Sequence, residues 1–317
     1  MTAHGVKTVD LRDHLGSDQT KRLQFVQDLG SSITECGFVI VENHGIPSSQ
    51  LQAAYRAAES FFSLPLESKK TYEVPGGMGQ RGYTSFGREH AKNQTAGDLK
   101  EFWHVGREDA TRQTYPPNLW PNHEIPEFKP SMHALYQALD SLAERLLGAL
   151  EGYLKLGDGT LSAMAHEGNS ILRVLHYPPL DASRAIPGAV RAAAHEDINL
   201  ITLLCGATDS GLEILGRSGE WIPIVSRPDQ IVVDSGDMLS RVTNGLVPST
   251  THRVVNPSGD AASRSRYSMP FFVHPYPDCD LSVLKECTSP DFPPRFPPCR
   301  ADEFLRQRLA EIGLTGQ

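Results

Sequence analysis

Between Ser170 and His274 the chain breaks into seven short runs dense in β-branched, aliphatic and aromatic residues: SILRVLHY, NLITLLC, GLEIL, EWIPI, QIVVD, TTHRVV and SRYSMPFFV. Turn clusters such as ATDSG, GRSG, SGD and NPSGD separate them. Strands this short cannot bury themselves singly, and many of them at close spacing fold as a two-sheet sandwich or barrel. The flanks read differently. Thr20–Cys36 carries Leu23, Val26, Leu29 and Ile33 at helical spacing, with Gly37 as its stop. Leu51, Tyr55, Ala58 and Phe62 mark a second helix, with Ser48 and Ser49 as candidate N-caps and Pro65 as its end. The longest helix is expected over 127–155, where Leu135, Leu139, Leu142, Leu146 and Leu150 recur at steps of three and four. A final helix follows the proline-rich PDFPPRFPP stretch, over 300–312. Residues 74–98, rich in glycine and polar groups, read as a long loop. No linker marks a boundary, so the helices are expected to jacket one β core in a single unit over 1–317.

Composition narrows the function classes. With 30 Lys+Arg against 38 Asp+Glu, the formal charge of −8 lacks the bulk positive footprint of a nucleic-acid binder. No apolar stretch approaches the roughly 20 residues that cross a bilayer. The N-terminal sequence resembles neither a secretory nor an import signal, and the five cysteines form no CxxC pair. A cytoplasmic protein with reduced thiols is expected, with no obligate protein partner in view.

Two motifs compete for the chemistry. Gly77–Gly82, GMGQRG, formally fits a dinucleotide fingerprint, but Pro75-Gly76 precedes it where a strand is required and no helix follows. The stronger signal is His195-Glu196-Asp197 followed by His252. Residues i and i+2 of a strand share a face, so His195 and Asp197 can grip one ion, with His252 completing the set from a strand folded back across the barrel. Two imidazoles and a carboxylate on one face suit Fe(II) and leave coordination positions open for substrate and dioxygen. In SRYSMPFFV, Arg264, Arg266, Ser268 and Phe272 share one face, while Tyr267, Met269 and Phe271 share the other. A guanidinium beside a hydroxyl is a clamp for a carboxylate, as a 2-oxo acid cosubstrate chelating the metal would require.

Taken in order, FVIVENHGIP, FFSLPLESK, RGYTSFGRE, DLKEFW, RVLHYPP, His195-x-Asp197, VVDSGDML, PSTTHRVV and Arg266-x-Ser268 resemble the Fe(II)/2-oxoglutarate-dependent dioxygenase superfamily, in its isopenicillin N synthase-like branch. The resemblance covers nearly the whole chain. It implies a mainly β fold with added helices: a double-stranded β-helix (distorted jelly-roll) core at 168–276, an N-terminal region at 6–125, a scaffold helix and connector at 126–167, and a C-terminal extension at 277–317. His195, Asp197 and His252 would be iron ligands, Arg266 and Ser268 would bind the 2-oxoglutarate C5 carboxylate, and Tyr177 would help to hold it. The implied reaction uses dioxygen to oxidise a small organic substrate, most often by hydroxylation, with desaturation and ring closure open, and releases succinate and CO2. Leu175 stands where relatives commonly carry Asn, which removes one cosubstrate contact. Arg-x-Ser also occurs in an oxidase relative that uses no 2-oxoglutarate, so that alternative stays open, as does a non-catalytic metal-binding or sensing jelly roll. Arg81, Trp103, His104, Arg264 and Phe272 are candidates for the substrate pocket. His176 reads as a hydrogen-bonded core histidine; the DLKE acids, Arg184 and Arg191 read as solvated surface.

Overall fold

The computed structural model describes residues 6–75, 79–86, 100–111, 114–179, 191–206, 211–255 and 264–311. Among them are twelve strands: β1 (Thr8–Asp10), β2 (Phe38–Glu42), β3 (Gly82–Thr84), β4 (Glu101–Gly106), β5 (Ile171–Tyr177), β6 (Ala192–His195), β7 (Ile201–Cys205), β8 (Leu212–Leu215), β9 (Trp221–Pro223), β10 (Ile231–Ser235), β11 (His252–Val254) and β12 (Arg266–Val273). The helices are α1 (Leu11–Leu15), α2 (Gln19–Cys36), α3 (Ser48–Phe62), α4 (Leu66–Lys70), α5 (Phe128–Leu154), α6 (Ser162–Ala165), α7 (Asp237–Val242) and α8 (Ala301–Glu311). Eight strands form one sheet in the order β1-β2-β10-β7-β12-β5-β4-β3, and four form a second in the order β6-β11-β8-β9. Among these strands every pairing is antiparallel except β1 with β2.

Strand alternation divides the large sheet into two faces. Val39, Val41, Ile231, Val233, Ile201, Leu203, Met269 and Phe271 point outward into a core shared with the helices. Their neighbours Phe38, Ile40 and Val232 point inward and pack with Leu212 and Ile214 of the small sheet. The two sheets therefore face one another, and Phe102, Leu175 and Tyr177 form a further apolar cluster on the inner side. This is the jelly-roll core that the spacing of the short runs demands.

The jacket obeys helical periodicity. Leu135, Leu139, Leu142, Leu146 and Leu150 of α5 are all buried. Asp18 caps α2 by accepting from the backbone N–H groups of Thr20 and Lys21 at 2.9 and 3.2 Å, and Gly37 ends it at φ 74°. Ser48 and Ser49 do not cap α3: both lie inside its first turn, after Pro47, whose fixed φ starts the helix without a side-chain cap. Within the expected 74–98 loop, Gly82–Thr84 forms β3 because it adds to the edge of β4; 76–78 and 87–98 lie outside the described residues. No described helix is long and apolar enough to cross a membrane, and all five cysteines are free thiols.

One buried polar network ties jacket to sheet. Glu101 accepts from Lys69 Nζ at 2.8 and 3.0 Å, pairs with His176 Nδ1 at 2.7 Å and accepts from the Tyr83 hydroxyl. The expectation that the DLKE acids are solvated fails at Glu101, because β4 turns it toward the helices; Asp98 lies outside the described residues. His176 has the hydrogen-bonded core role expected of it, stacked on Tyr267 with ring centroids 4.8 Å apart. Burial alone would raise the Glu101 pKa, but donation from His176, Lys69 and Tyr83 outweighs it and holds the carboxyl below its ordinary range.

Two outcomes follow for stability. Gly30→Ala places a Cβ 1.9 Å from the Tyr153 ring of α5. Overpacking of about 1–3 kcal/mol should then outweigh the ~1 kcal/mol helix-propensity gain, and denaturant titration should show that adding Tyr153→Leu restores part of the loss. Glu101→Gln strands a buried cation and should cost roughly 3–5 kcal/mol at neutral pH. In the parent protein this contribution is full above the unfolded carboxyl pKa and is lost as pH falls through the lower folded value, so a pH series of melts should show the two proteins converging in acid.

Candidate active site

β11 lies between β6 and β8 in the small sheet, and its register places His252 directly opposite His195. The second histidine thus comes from the adjacent strand rather than from across the barrel, because β6 and β11 are hydrogen-bonded neighbours. Asp197 follows in the turn after β6. Its Oδ1 lies 3.7 Å from His195 Nε2 and 3.9 Å from His252 Nε2. One ligand atom from each of the three residues lies within 4.8 Å of the others. Each imidazole Nδ1 is within hydrogen-bond distance of a carbonyl two residues upstream, His195 with Ala193 at 2.7 Å and His252 with Thr250 at 3.1 Å. A carbonyl can only accept, so the proton sits on Nδ1 and each Nε2 presents its lone pair to the shared space.

A second layer fixes the carboxylate. Thr202 Oγ1 donates to Asp197 Oδ2 and accepts from Asn199 Nδ2 at 3.0 Å; Nδ2 also donates to the Ile201 carbonyl at 2.9 Å. The SGD turn supports the same loop through its backbone: Asp237 N–H donates to the Asp197 carbonyl at 2.8 Å and Gly236 N–H to the Leu200 carbonyl at 3.0 Å. A Cβ on Gly236 would meet the Asn199 carbonyl at 2.4 Å and the Asp197 carbonyl at 2.8 Å, so this approach requires glycine. The Phe38 ring meets His252 edge-on at 5.7 Å.

The electrostatics favour a neutral-imidazole, single-carboxylate donor set. Desolvation first, and the adjacent His252 second, lower the His195 pKa to about 4, against the opposing pull of Asp197. Its side chain is nevertheless 41% exposed. Asp234 lies opposite Thr202 and Phe38 on the inner face of β10. Burial, followed by the charge on Asp197, raises its pKa well above the ordinary aspartate value. Burial also lowers His274, to about 4.

Along β12 the expected alternation is present. Arg266 pairs with Tyr177 and Ser268 with Leu175, all four buried. The Arg266 guanidinium lies 5.0 Å from the centre of the Tyr177 ring. Its Nε and Nη1 are buried without a hydrogen-bond partner. A buried cation with two unspent donors beside a serine hydroxyl is complementary to a carboxylate.

The five expected pocket residues separate. His104 and Phe272 are on the inner side: His104 Nδ1 contacts the Gly79 carbonyl, and Phe272 packs against Arg173, whose guanidinium lies 5.2 Å from the ring centre. Trp103, expected in the pocket, lies outside it. It alternates with His104 onto the helix side, where its ring packs against Phe61 at 4.7 Å and Phe128 at 5.1 Å. Arg81 donates to the Pro116 carbonyl at 3.1 Å and the Gln80 carbonyl at 2.7 Å and lies against Gly106, which makes it an anchor at the far end of β4. Arg264 is exposed ahead of β12 and does not enter the barrel. Arg191, expected on the surface, is fully buried, with its guanidinium 5.9 Å from the Tyr177 ring centre; Arg184 lies outside the described residues. Sequence reasoning passed over Thr202, Asn199, Asp234 and Arg173. The period of two, carried from Leu204 and Leu175 along their strands, would have placed Thr202 and Arg173 on the inner face.

Residues 6–123 match the family described as non-haem dioxygenase in morphine synthesis N-terminal, and residues 168–275 match the 2OG-Fe(II) oxygenase superfamily. The proline hydroxylase buaE of Petromyces alliaceus is 31% identical over 88% of this chain and 90% of its own. A protein of Caulobacter crescentus, assigned to the 2OG-Fe(II) oxygenase family, has a crystal structure that superposes with a TM-score of 0.86 at 42% identity, covering 97% of this chain and 99% of that one. A full-length Neurospora crassa protein, crystallised in complex with alpha-KG, superposes with a TM-score of 0.88 at 27% identity over 98% of each chain.

Replacing Thr202 by Val keeps its shape but removes the donor to Asp197 Oδ2. Titration with Fe(II) under anaerobic conditions should show an affinity about 10–100-fold weaker, with an unchanged circular dichroism spectrum.

Proposed function

Because this chain belongs to the 2OG-Fe(II) oxygenase superfamily and is an Fe(II)- and 2-oxoglutarate-dependent oxidoreductase, we propose that it hydroxylates a small organic molecule, with His195, Asp197 and His252 holding the iron and Arg266, Ser268 and Tyr177 holding the cosubstrate. The balance is one substrate C–H, one O2 and one 2-oxoglutarate converted to C–OH, succinate and CO2. Fe(II), bound by the triad, would supply the electron transfer and dioxygen activation on which that conversion depends.

The residues of the chain have distinct tasks. The carbonyls of Ala193 and Thr250 orient both imidazoles, and Thr202 orients the carboxylate, so the three donor atoms converge before any ion arrives. Arg266 offers Nε and Nη1 to a carboxylate, Ser268 adds a hydroxyl donor, and the Tyr177 ring supports the guanidinium from one side. Leu175 and Phe102 form an apolar cluster with Tyr177 beside this clamp. Hydroxylation is favoured among the oxidative outcomes because a relative similar over nearly the whole length is named a proline hydroxylase. Reduced thiols are compatible with a cytoplasmic setting.

The observation that carries the cosubstrate assignment is the pair of buried, unpartnered Arg266 donors. Anaerobic addition of Fe(II) and 2-oxoglutarate should produce a weak visible charge-transfer band, and its absence from an iron-loaded sample would refute the reading. Arg266→Gln should raise the 2-oxoglutarate requirement at least about tenfold, the equivalent of 1.4 kcal/mol, while Fe(II) affinity is retained. Succinate should form in step with oxidised product; product without succinate would identify the oxidase alternative.

A further inference from the structure

The turn that supports the Asp197 loop is the start of α7, and three successive N–H groups there donate into that loop. Gly236 donates to the Leu200 carbonyl at 3.0 Å, Asp237 to the Asp197 carbonyl at 2.8 Å, and Met238 to the Ile198 and Asn199 carbonyls at 3.2 and 3.1 Å. All four carbonyls from Asp197 to Leu200 therefore accept from α7 or from the glycine before it. Any shift of α7 moves the loop that carries the metal-binding carboxylate. A helix of six residues is marginal by itself, so its placement comes from tertiary partners.

Several of those partners come from the chain that follows β12. Leu284 N–H donates to the Val242 carbonyl at 2.9 Å, and the Arg241 guanidinium donates to the Pro297 carbonyl while lying 5.5 Å from the ring centres of both Phe296 and Phe304. At the end of α7 nearest the loop, α8 supplies Arg308. Its Nη2 donates to Asp237 Oδ2 at 2.5 Å and its Nη1 to Glu311 Oε2 at 2.8 Å, with the guanidinium 6.0 Å from the Phe304 ring centre. The side chains of Arg308 and Asp237 are only 24% and 13% exposed, so this pair is shielded in a way that ordinary surface pairs are not. Asp237 joins the two halves of the connection: its carboxylate meets α8, and its N–H meets Asp197.

We propose that Arg308 is a positioning residue for the metal site: by pairing with Asp237 it holds the first turn of α7 in the place from which its N–H groups fix the Asp197 loop. This inference rests on the oxygenase reading. The triad is convergent only while Asp197 keeps its place relative to the two histidines of the small sheet, and strand pairing fixes the histidines but not Asp197, which follows β6 in a turn. The helix that closes the described chain thus acts on iron binding without touching the iron ligands.

The test uses the full chain and two readouts: amide hydrogen exchange in the metal-free protein and anaerobic titration with Fe(II). In Arg308→Gln the Asp237 and Met238 amides should exchange faster, and Fe(II) affinity should fall about 3–10-fold, less than the roughly 10–100-fold expected of a group bonded directly to a ligand. Arg308→Lys, which keeps the charge, should recover part of both. Asp237→Asn should weaken Fe(II) binding to a similar degree, and combining it with Arg308→Gln should add nothing, because the two changes remove one interaction. Gly30→Ala, which destabilises the jacket away from α7, should leave Fe(II) affinity unchanged. Failure of the parent protein to bind Fe(II) defeats the oxygenase reading. In a parent that binds it, unchanged exchange or unchanged affinity in Arg308→Gln, additive losses in the double variant, or equal weakening in Gly30→Ala overturns the role of Arg308 alone.

Discussion

The site depends on one cross-strand register. His252 stands opposite His195 because β11 pairs with β6. A one-residue slip in that pairing would turn one imidazole to the other side of the small sheet and abolish the convergence of donors. Much of the surrounding structure protects this register. β8 pairs with the other edge of β11, Phe38 packs edge-on against His252, and the SGD turn holds the loop that carries Asp197. The metal-binding geometry is thus an outcome of strand pairing, with the side chains supplying the donors.

The second constraint is electrostatic. Two carboxyl groups, Asp197 and Asp234, interact in the interior, and burial, followed by the charge on Asp197, raises the pKa of Asp234. The lowered pKa of His195 keeps that imidazole in its uncharged, ligating form. At the clamp the logic reverses: Arg266 cannot lose its charge, so its burial creates a standing demand for an anion.

Elements whose cause is local were readable from the sequence. Leucine spacing marked α5, Gly37 marked the end of α2, and the alternation in SRYSMPFFV separated the Arg266 face from the Tyr267 face. The triad was legible from the spacing of His195, Asp197 and His252 taken together with the ordered motifs around them. Features set by tertiary contact were not. Trp103 and His104 are neighbours in sequence, and only the sheet decides which faces the helices and which the interior. Arg191 and Glu101 look like surface charges until burial and partners from remote segments are known. Thr202 and Asn199 are ordinary β-sheet and turn residues whose role comes from the carboxylate they support.

The alternation of β4 has a consequence for how such a protein changes over time. Glu101, Trp103 and Val105 belong to the helix-facing core, while Phe102 and His104 belong to the interior cavity. Substitutions at the odd positions fall on the stability of the fold, and those at the even positions fall on the shape and polarity of the cavity. A single strand therefore separates two selective pressures by the parity of its residues. Lineages built on this barrel can drift toward new substrates through one set of positions while the other set keeps the scaffold intact.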